Sequence, residues 1–315
     1  MSSLDPRKLA GKLMNLPTGV AESHLPLWAA SQLGRLGRDP LERAIGGRTI
    51  LITGASSGIG AATAIELGKA GAEVVLVARD ADALADVASR VTEHGGSARV
   101  HPTDLTDSTE IDRLVTEVTE SRGGVDILVN NAGRSIRRSL KHSTDRPHDF
   151  ERTIELNYLA AVRLVLGFLD GMRERGFGHV VNVSSASVQV RTPRFAAYTG
   201  SKAALDAFSE CASAELAHEG IRFTTVSMPL VRTPMIAPTE MYSNFPSLSP
   251  EQAGERICQA IAHRPRQIGT PYGALVGAIR AIDPVVMERI RNRGYQLFPE
   301  SGGSGSSSEE EEATR

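Results

Sequence analysis

Tyr198 and Lys202 stand four residues apart in the stretch Tyr198-Thr199-Gly200-Ser201-Lys202. Positions i and i+4 share one face of a helix, so a phenol and an ammonium at this spacing can meet the same ligand. Upstream, Thr53-Gly54-Ala55-Ser56-Ser57-Gly58-Ile59-Gly60 follows an apolar run and opens an amphipathic segment. Glycines there let the backbone turn tightly and approach a pyrophosphate. The helix that follows offers free N–H groups and the positive end of its dipole. Either motif alone is weak, because a Gly-rich turn is often only a turn. Together they imply a nicotinamide cofactor meeting a Tyr/Lys acid–base pair, which is the chemistry of an oxidoreductase.

The surrounding pattern supplies elements able to position these groups. Apolar runs at Thr49–Ile52, Val74–Val77, Ala98–His101, Ile127–Val129, Val180–Val183 and Phe223–Val226 read as strands. Helical spacing fills the intervals, through Ala70, over Ala81–Glu93, Ser108–Glu120, Asp149–Arg173 and Ala197–His218. Buried strands alternating with helices of this length mean a parallel sheet covered on both faces, an α/β, Rossmann-type doubly wound fold. Met228–Leu248 holds four prolines and little periodicity. It follows a strand end, where ligands bind in such sheets, and reads as a substrate lid. Further helices are expected over Pro250–His263, Ala274–Ile282 and Val285–Leu297, with a short last strand at Gln267 and Ile268. The division is a helical arm over 1–47, a dinucleotide-binding domain over 48–270 with its lid at 228–248, C-terminal helices over 271–300, and a disordered acidic tail over 301–315.

A chain of 315 residues suits one large α/β domain with appendages. The formal charge of −2 gives no global attraction to nucleic acid. Cys211 and Cys258 occur in unrelated contexts. They suggest neither a metal site nor a disulfide framework, and a cytoplasmic setting fits. No uncharged apolar run is long enough to span a bilayer, and the N-terminus lacks the apolar core of a cleaved signal.

In dinucleotide folds an acid some twenty residues beyond the glycines holds the ribose 2′-hydroxyl. Here that place is Ala78, followed by Arg79. A guanidinium fork suits a 2′-phosphate, so NADP(H) is expected rather than NAD(H). Asp80 complicates this, since its carboxylate could repel that phosphate.

At this point the chain resembles the short-chain dehydrogenase/reductases. The resemblance rests on T-G-A-S-S-G-I-G at 53–60, Asp104, N-N-A-G at 130–133, Asn157, Ser185, Tyr198 and Lys202. It covers about residues 48–265 and implies a sheet of about seven strands and a Ser/Tyr/Lys/Asn tetrad. Tyr198 would be the acid–base group. Lys202 would bind the nicotinamide ribose and lower the Tyr198 pKa through its charge. Ser185, rather than its neighbour Ser184, would hydrogen-bond the carbonyl oxygen, and Asn157 would hold a proton-relaying water. Asn130 and Gly133 would shape the cofactor pocket, and Asp104 would face the adenine. The pocket implied by the resemblance takes in Gly54, Ser56, Ser57, Gly58, Ile59, Gly60, Arg79, Asp104, Leu105, Asn131, Ala132, Gly133, Lys202, Pro229, Val231 and Thr233. Leu230 departs from the usual Pro-Gly after the sixth strand.

Within the family, N-N-A-G-R-S-I-R-R-S at 130–139, H-D-F-E-R-T at 148–153, A-L-D-A-F-S at 204–209, M-P-L-V-R-T-P-M-I-A-P-T at 228–239 and R-N-R-G-Y-Q-L-F-P at 291–299 resemble bacterial fatty acyl-CoA reductases. This implies reduction of a long-chain acyl-CoA to an aldehyde with NADPH. A reductase of a ketone or aldehyde, of 3-oxoacyl, retinoid or steroid type, would use the same tetrad. A non-catalytic NADP-binding regulator is the third reading, opposed by the complete tetrad. Arg134, Arg137, Arg138, Lys141 and His142 could bind CoA phosphates, or pair with Asp145 and Asp149. The basic amphipathic C-terminal helices could cover an acyl tunnel, pack on a second subunit of a homo-oligomer, or touch a membrane surface.

Overall fold

The computed structural model describes residues 40–236 and 245–297. Most of the expected N-terminal arm, the middle of the expected lid and the acidic tail lie outside them.

A short helix α1 (Pro40–Ile45) precedes β1 (Thr49–Thr53). The chain continues through α2 (Gly58–Lys69), β2 (Glu73–Ala78), α3 (Ala81–Glu93), β3 (Ser97–Pro102), α4 (Ser108–Arg122) and β4 (Ile127–Asn130). Next come α5 (His148–Ile154), α6 (Ala160–Glu174), β5 (Gly178–Ser185), a short α7 (Ala186–Val190), α8 (Ala196–Leu216) and β6 (Ile221–Met228). The last elements are α9 (Pro250–His263), β7 (Gln267–Ile268), α10 (Pro271–Ile282) and α11 (Pro284–Leu297).

The strands form one seven-stranded parallel sheet in the order β3-β2-β1-β4-β5-β6-β7. Its strands read as continuous apolar runs because helices cover both faces. Side chains alternate between the two cores. Ile50 and Ile52 join Leu67, Val91 and Ile257 on one side, while Leu51 joins Leu114, Leu164 and Phe223 on the other. Burying one such side chain stabilises the fold by about 1.5–3 kcal/mol. β3 is the exception, an edge strand with exposed Arg99 and Val100.

The long helix expected over Asp149–Arg173 is not continuous. A wide π turn over Glu155–Leu159 separates α5 from α6, with Asn157 at its centre. Such turns often sit at functional sites, because the extra residue re-aims a side chain. The short α7 was not expected either.

The strand order reverses between β1 and β4. Ligands in doubly wound sheets bind in the crevice beyond the strand C-termini at this switch point. A cleft of about 1500 Å³ opens there.

Candidate active site

The turns after β1 and β4 are stitched together. Thr53 Oγ1 accepts from the backbone N–H groups of Asn131 (2.9 Å) and Ala132 (3.0 Å). The Asn131 side-chain amide donates to the carbonyls of Thr53 (2.9 Å) and Gly54 (3.2 Å). This approach leaves no room for side chains. A Cβ on Gly54, whose φ is +63°, would lie 2.9 Å from Ala132 Cα, and one on Gly60 would lie 2.2 Å from the Gly54 carbonyl oxygen. Ser56, Ser57, Gly58 and Ile59 line the cleft, with Gly60 behind them. Ser57 is the N-cap of α2 yet makes no side-chain cap bond, and the first turn holds no acid. By contrast α3, α4, α9 and α10 are capped by Asp80, Asp107, Ser249 and Thr270. The α2 N-terminus thus keeps free donors and a positive end facing the cleft, which fits a pyrophosphate.

Arg79, Asp104 and Leu105 line the cleft at the ends of β2 and β3. Asp80 lines it too, but its carboxylate accepts from Ala83 N at 3.0 Å and is committed to capping α3. The anticipated conflict with a 2′-phosphate is reduced accordingly. Asp104 accepts from the Thr106 N–H (2.9 Å) and hydroxyl (2.7 Å). Burial pushes its carboxyl pKa up, but these bonds and the nearby Arg79 and Arg134 outweigh burial and hold it low. Asn131, Ala132 and Gly133 form the β4 wall, and Pro229, Val231 and Thr233 the β6 wall. Asn130 does not reach the cleft as expected. It is buried, donating to Asn182 Oδ1 at 2.8 Å, and Asn182 in turn donates to Ser209 Oγ at 2.7 Å.

Tyr198 and Lys202 lie on α8 and face the cleft together with Ser185 at the end of β5. Ser185 is also the N-cap of α7, where its hydroxyl accepts from Ser187 N at 3.1 Å. That bond fixes the side chain beside the Tyr198 hydroxyl, with which it hydrogen-bonds. Asn157 is 1 % exposed. Its amide accepts from Arg134 N (2.7 Å) and donates to the Arg134 carbonyl and the Ser201 hydroxyl (both 2.9 Å). All its side-chain groups are engaged, so it ties the π turn, the β4 loop and α8 into one unit. Gly133 lies against this cluster, since a Cβ there would sit 3.4 Å from Lys202 Nζ.

The electrostatics depart from expectation at Tyr198. Burial pushes its phenol up, while the Ser185 hydrogen bond works in the other direction. The Lys202 ammonium donates to the Val183 carbonyl at 2.8 Å, and burial lowers its pKa to about 8. Asp206, one turn further along α8, pulls the Lys202 pKa up. Its own carboxyl is raised by burial to about 6, against the lowering influence of Ser184 and Lys202; Glu210 raises it and Arg191 lowers it. Ser184 thus lies near Asp206, and Ser185 beside Tyr198.

The sign of a pH effect follows. Above about pH 6 Asp206 is an anion that helps Lys202 keep its proton; Lys202 loses it near pH 8. The pH profile of kcat/KM for the cofactor reports groups of the free enzyme. It should fall on the alkaline side near pH 8, and Asp206→Asn should move that limb to lower pH. A limb that stays put or moves upward would show that Asp206 does not act on Lys202.

The other half of the cleft comes from parts that carried no motif. Arg191 and Arg194, between α7 and α8, adopt left-handed φ values of 59° and 70°. Bulky residues rarely do so, and strain of this kind tends to collect at ligand sites. The Arg194 carbonyl accepts from Arg138 N at 2.7 Å. The Arg194 guanidinium donates to the Tyr295 carbonyl (3.1 Å) and lies 4.2 Å over the Tyr295 ring. Tyr272 of α10 and Arg291, Gly294 and Tyr295 of α11 close this end of the cleft. Ile282, Val285, Ile290 and Leu297 remain exposed on these two helices. Both described ends of the expected lid line the cleft, and they are joined by Leu248 N donating to Leu230 O at 2.9 Å.

Comparison with known proteins agrees with this architecture. The family model described as short chain dehydrogenase matches residues 48–242. A fatty acyl-CoA reductase of Acinetobacter baylyi is 50 % identical over 255 residues, covering 81 % of this chain and 86 % of that protein. An uncharacterized oxidoreductase of Mycobacterium tuberculosis is 48 % identical over 302 residues, covering 95 % of this chain and 88 % of that one. The crystal structure of a metagenomic short-chain oxidoreductase in complex with NADP is similar with a TM-score of 0.62 at 30 % identity, covering 72 % of this chain and 96 % of that chain. With its cradle, its sheet and its Tyr198/Lys202 face all of one pattern, the chain belongs to the short-chain dehydrogenase family of oxidoreductases.

Proposed function

We propose that the protein is an NADPH-dependent reductase of long-chain fatty acyl-CoA, giving the fatty aldehyde and free CoA. The observation that carries the reductase reading is the convergence of Ser185, Tyr198 and Lys202 on a cleft that opens from the α2 N-terminus. Arg79 supports NADP(H), since it lines the adenosine end while Asp80 is tied to its helix cap. The metagenomic neighbour was crystallised with NADP. The acyl-CoA substrate is supported by the 50 % identical relative named a fatty acyl-CoA reductase.

When bound, the nicotinamide supplies a hydride to the thioester carbonyl carbon. Ser185 and Tyr198 donate hydrogen bonds to the carbonyl oxygen and stabilise the negative charge it gathers. Tyr198 then hands over its proton. Lys202, whose ammonium donates to the Val183 carbonyl on the same side of the cleft, would hold the cofactor ribose, and its charge would favour the phenolate left behind. Collapse of the hemithioacetal releases the CoA thiol and the aldehyde. No cysteine is needed. Neither Cys211 nor Cys258 lines the cleft, and burial pushes the Cys258 thiol up to about 12.

Incubation with NADPH and palmitoyl-CoA should release free CoA and hexadecanal, with NADPH used more efficiently than NADH. Parallel incubations with a long-chain aldehyde and a 3-ketosteroid separate the readings. Turnover of those carbonyls without any thioester reduction would reject the acyl-CoA assignment in favour of an aldehyde or ketone reductase.

A further inference from the structure

The loop after β4 carries more positive charge than the cofactor needs. Its buried neighbouring acid, Asp149, is already engaged. Asp149 is 1 % exposed and is held by Arg152 (2.6 Å), Arg138 (3.1 Å), Arg146 (3.2 Å) and His148 (3.5 Å). Arg138 is thereby removed from any ligand role and becomes a brace for the loop. Arg134 and Arg137, in contrast, both line the cleft, and neither has an ion-pair partner among the described residues. Arg134 is partly buried, flanked by Arg152 and Arg79, and drawn only at longer range by Asp104 and Asp149. Exposed, partnerless arginines are ordinary, but partly desolvated ones that repel their neighbours are costly unless an anion joins them.

The position of the loop says which anion. The cofactor's own phosphates have places at the α2 N-terminus and at Arg79. The segment from Arg134 to Arg138 begins at Gly133, beside Lys202, and ends where Arg138 N donates to the Arg194 carbonyl at 2.7 Å. It therefore borders the catalytic groups and runs toward the half of the cleft closed by α11. It is also held rigidly, by Asn157 on the Arg134 backbone and by Asp149 on Arg138. A rigid loop presenting guanidinium groups is suited to phosphate recognition, because little side-chain freedom is lost on binding.

We propose that Arg134 and Arg137 form a second phosphate-binding subsite, alongside the cofactor's, that grips the phosphates of a coenzyme A thioester. This rests on the acyl-CoA reading above. It implies that the enzyme distinguishes a polyanionic acyl carrier from a neutral aldehyde or ketone through this loop, while the acyl chain occupies the part of the cleft under α11.

The test uses the full chain, saturated with NADP+ for the binding of free CoA and supplied with NADPH as the reductant for every KM. Arg134→Gln and Arg137→Gln should each weaken the binding of free CoA, and raise KM for palmitoyl-CoA, by about tenfold, equivalent to about 1.4 kcal/mol. KM for phosphate-free palmitoyl-pantetheine and for NADPH should stay within about twofold, and Arg137→Lys should retain part of the affinity. An unchanged palmitoyl-CoA KM in both glutamine variants overturns the subsite. So does a rise in the NADPH KM alone, which would assign the arginines to the cofactor. If the wild-type protein binds CoA through these arginines but never reduces a thioester, the subsite stands and the reductase assignment falls.

Discussion

Replacing Tyr198 with Phe should lower kcat by about three orders of magnitude while leaving NADPH affinity within about twofold. The size follows from what the hydroxyl does. A positioned general acid contributes about 10²–10⁴ in rate, and one donor to a developing oxyanion is worth about 10²–10³. Tyr198 combines both roles, so the loss should approach the upper part of those ranges. The substitution is otherwise conservative. The ring keeps its edge contact with Phe195, whose centroid is 6.4 Å away. Ser185 keeps its cap bond to Ser187 N, and the glycine cradle is untouched. Single-turnover rates and NADPH fluorescence titration measure the two quantities separately. A Tyr198→Phe variant with more than a tenth of wild-type turnover would remove Tyr198 from proton transfer, whichever carbonyl the enzyme reduces.

Much of this was legible in the sequence, and the reasons are local. The strands announced themselves because burial on both faces demands unbroken apolar runs, as in Thr49–Thr53 and Ile127–Asn130. The helix over Ala81–Glu93 was bounded by its cap, Asp80, whose carboxylate takes the Ala83 N–H. The cradle was readable because its glycines lie in one short segment. What escaped depends on contacts between distant segments. Nothing near Asn157 signals a π turn; the turn is visible only once Asn157 reaches the backbone of Arg134, 23 residues earlier. Arg194 reaches Tyr295 across 101 residues. Arg138 could not be separated from Arg137 by composition, since both follow N-N-A-G. Only the fold decides that one turns to Asp149 and the other to the cleft. Ser185 was separated from Ser184 only by the resemblance, through the family's spacing to the tyrosine; the buried Asp206 carboxylate near Ser184 was not legible.

Two glycines separated by function give the sharpest test of the cradle. Gly60→Ala would place a methyl 2.2 Å from the Gly54 carbonyl oxygen and 2.7 Å from the Asn131 amide nitrogen. Both are fixed groups, one backbone and the other hydrogen-bonded to Thr53 O at 2.9 Å, so the turn itself must move. Overpacking of this kind costs about 1–3 kcal/mol, which corresponds to a fall in Tm of roughly 2–12 °C at about 2–4 °C per kcal/mol for a domain of this size. The larger effect should be on the ligand. A pyrophosphate held by backbone N–H groups depends on their aim, and displacing the turn should weaken NADPH binding by about 100-fold, or some 2.7 kcal/mol. Gly200 makes the contrast. It sits between Tyr198 and Lys202, exposed on α8, and a Cβ there meets nothing within 4 Å. Alanine is favoured over glycine within a helix by about 0.5–1 kcal/mol. Gly200→Ala should therefore raise Tm slightly and leave both turnover and NADPH affinity unchanged, although it lies inside the catalytic segment. Calorimetry should give Tm changes of opposite sign for the two variants, and fluorescence titration a loss of affinity in Gly60→Ala alone, if backbone approach, rather than motif membership, decides which glycines matter. Equal NADPH affinity in Gly60→Ala and wild type would mean that the phosphates do not sit on this turn.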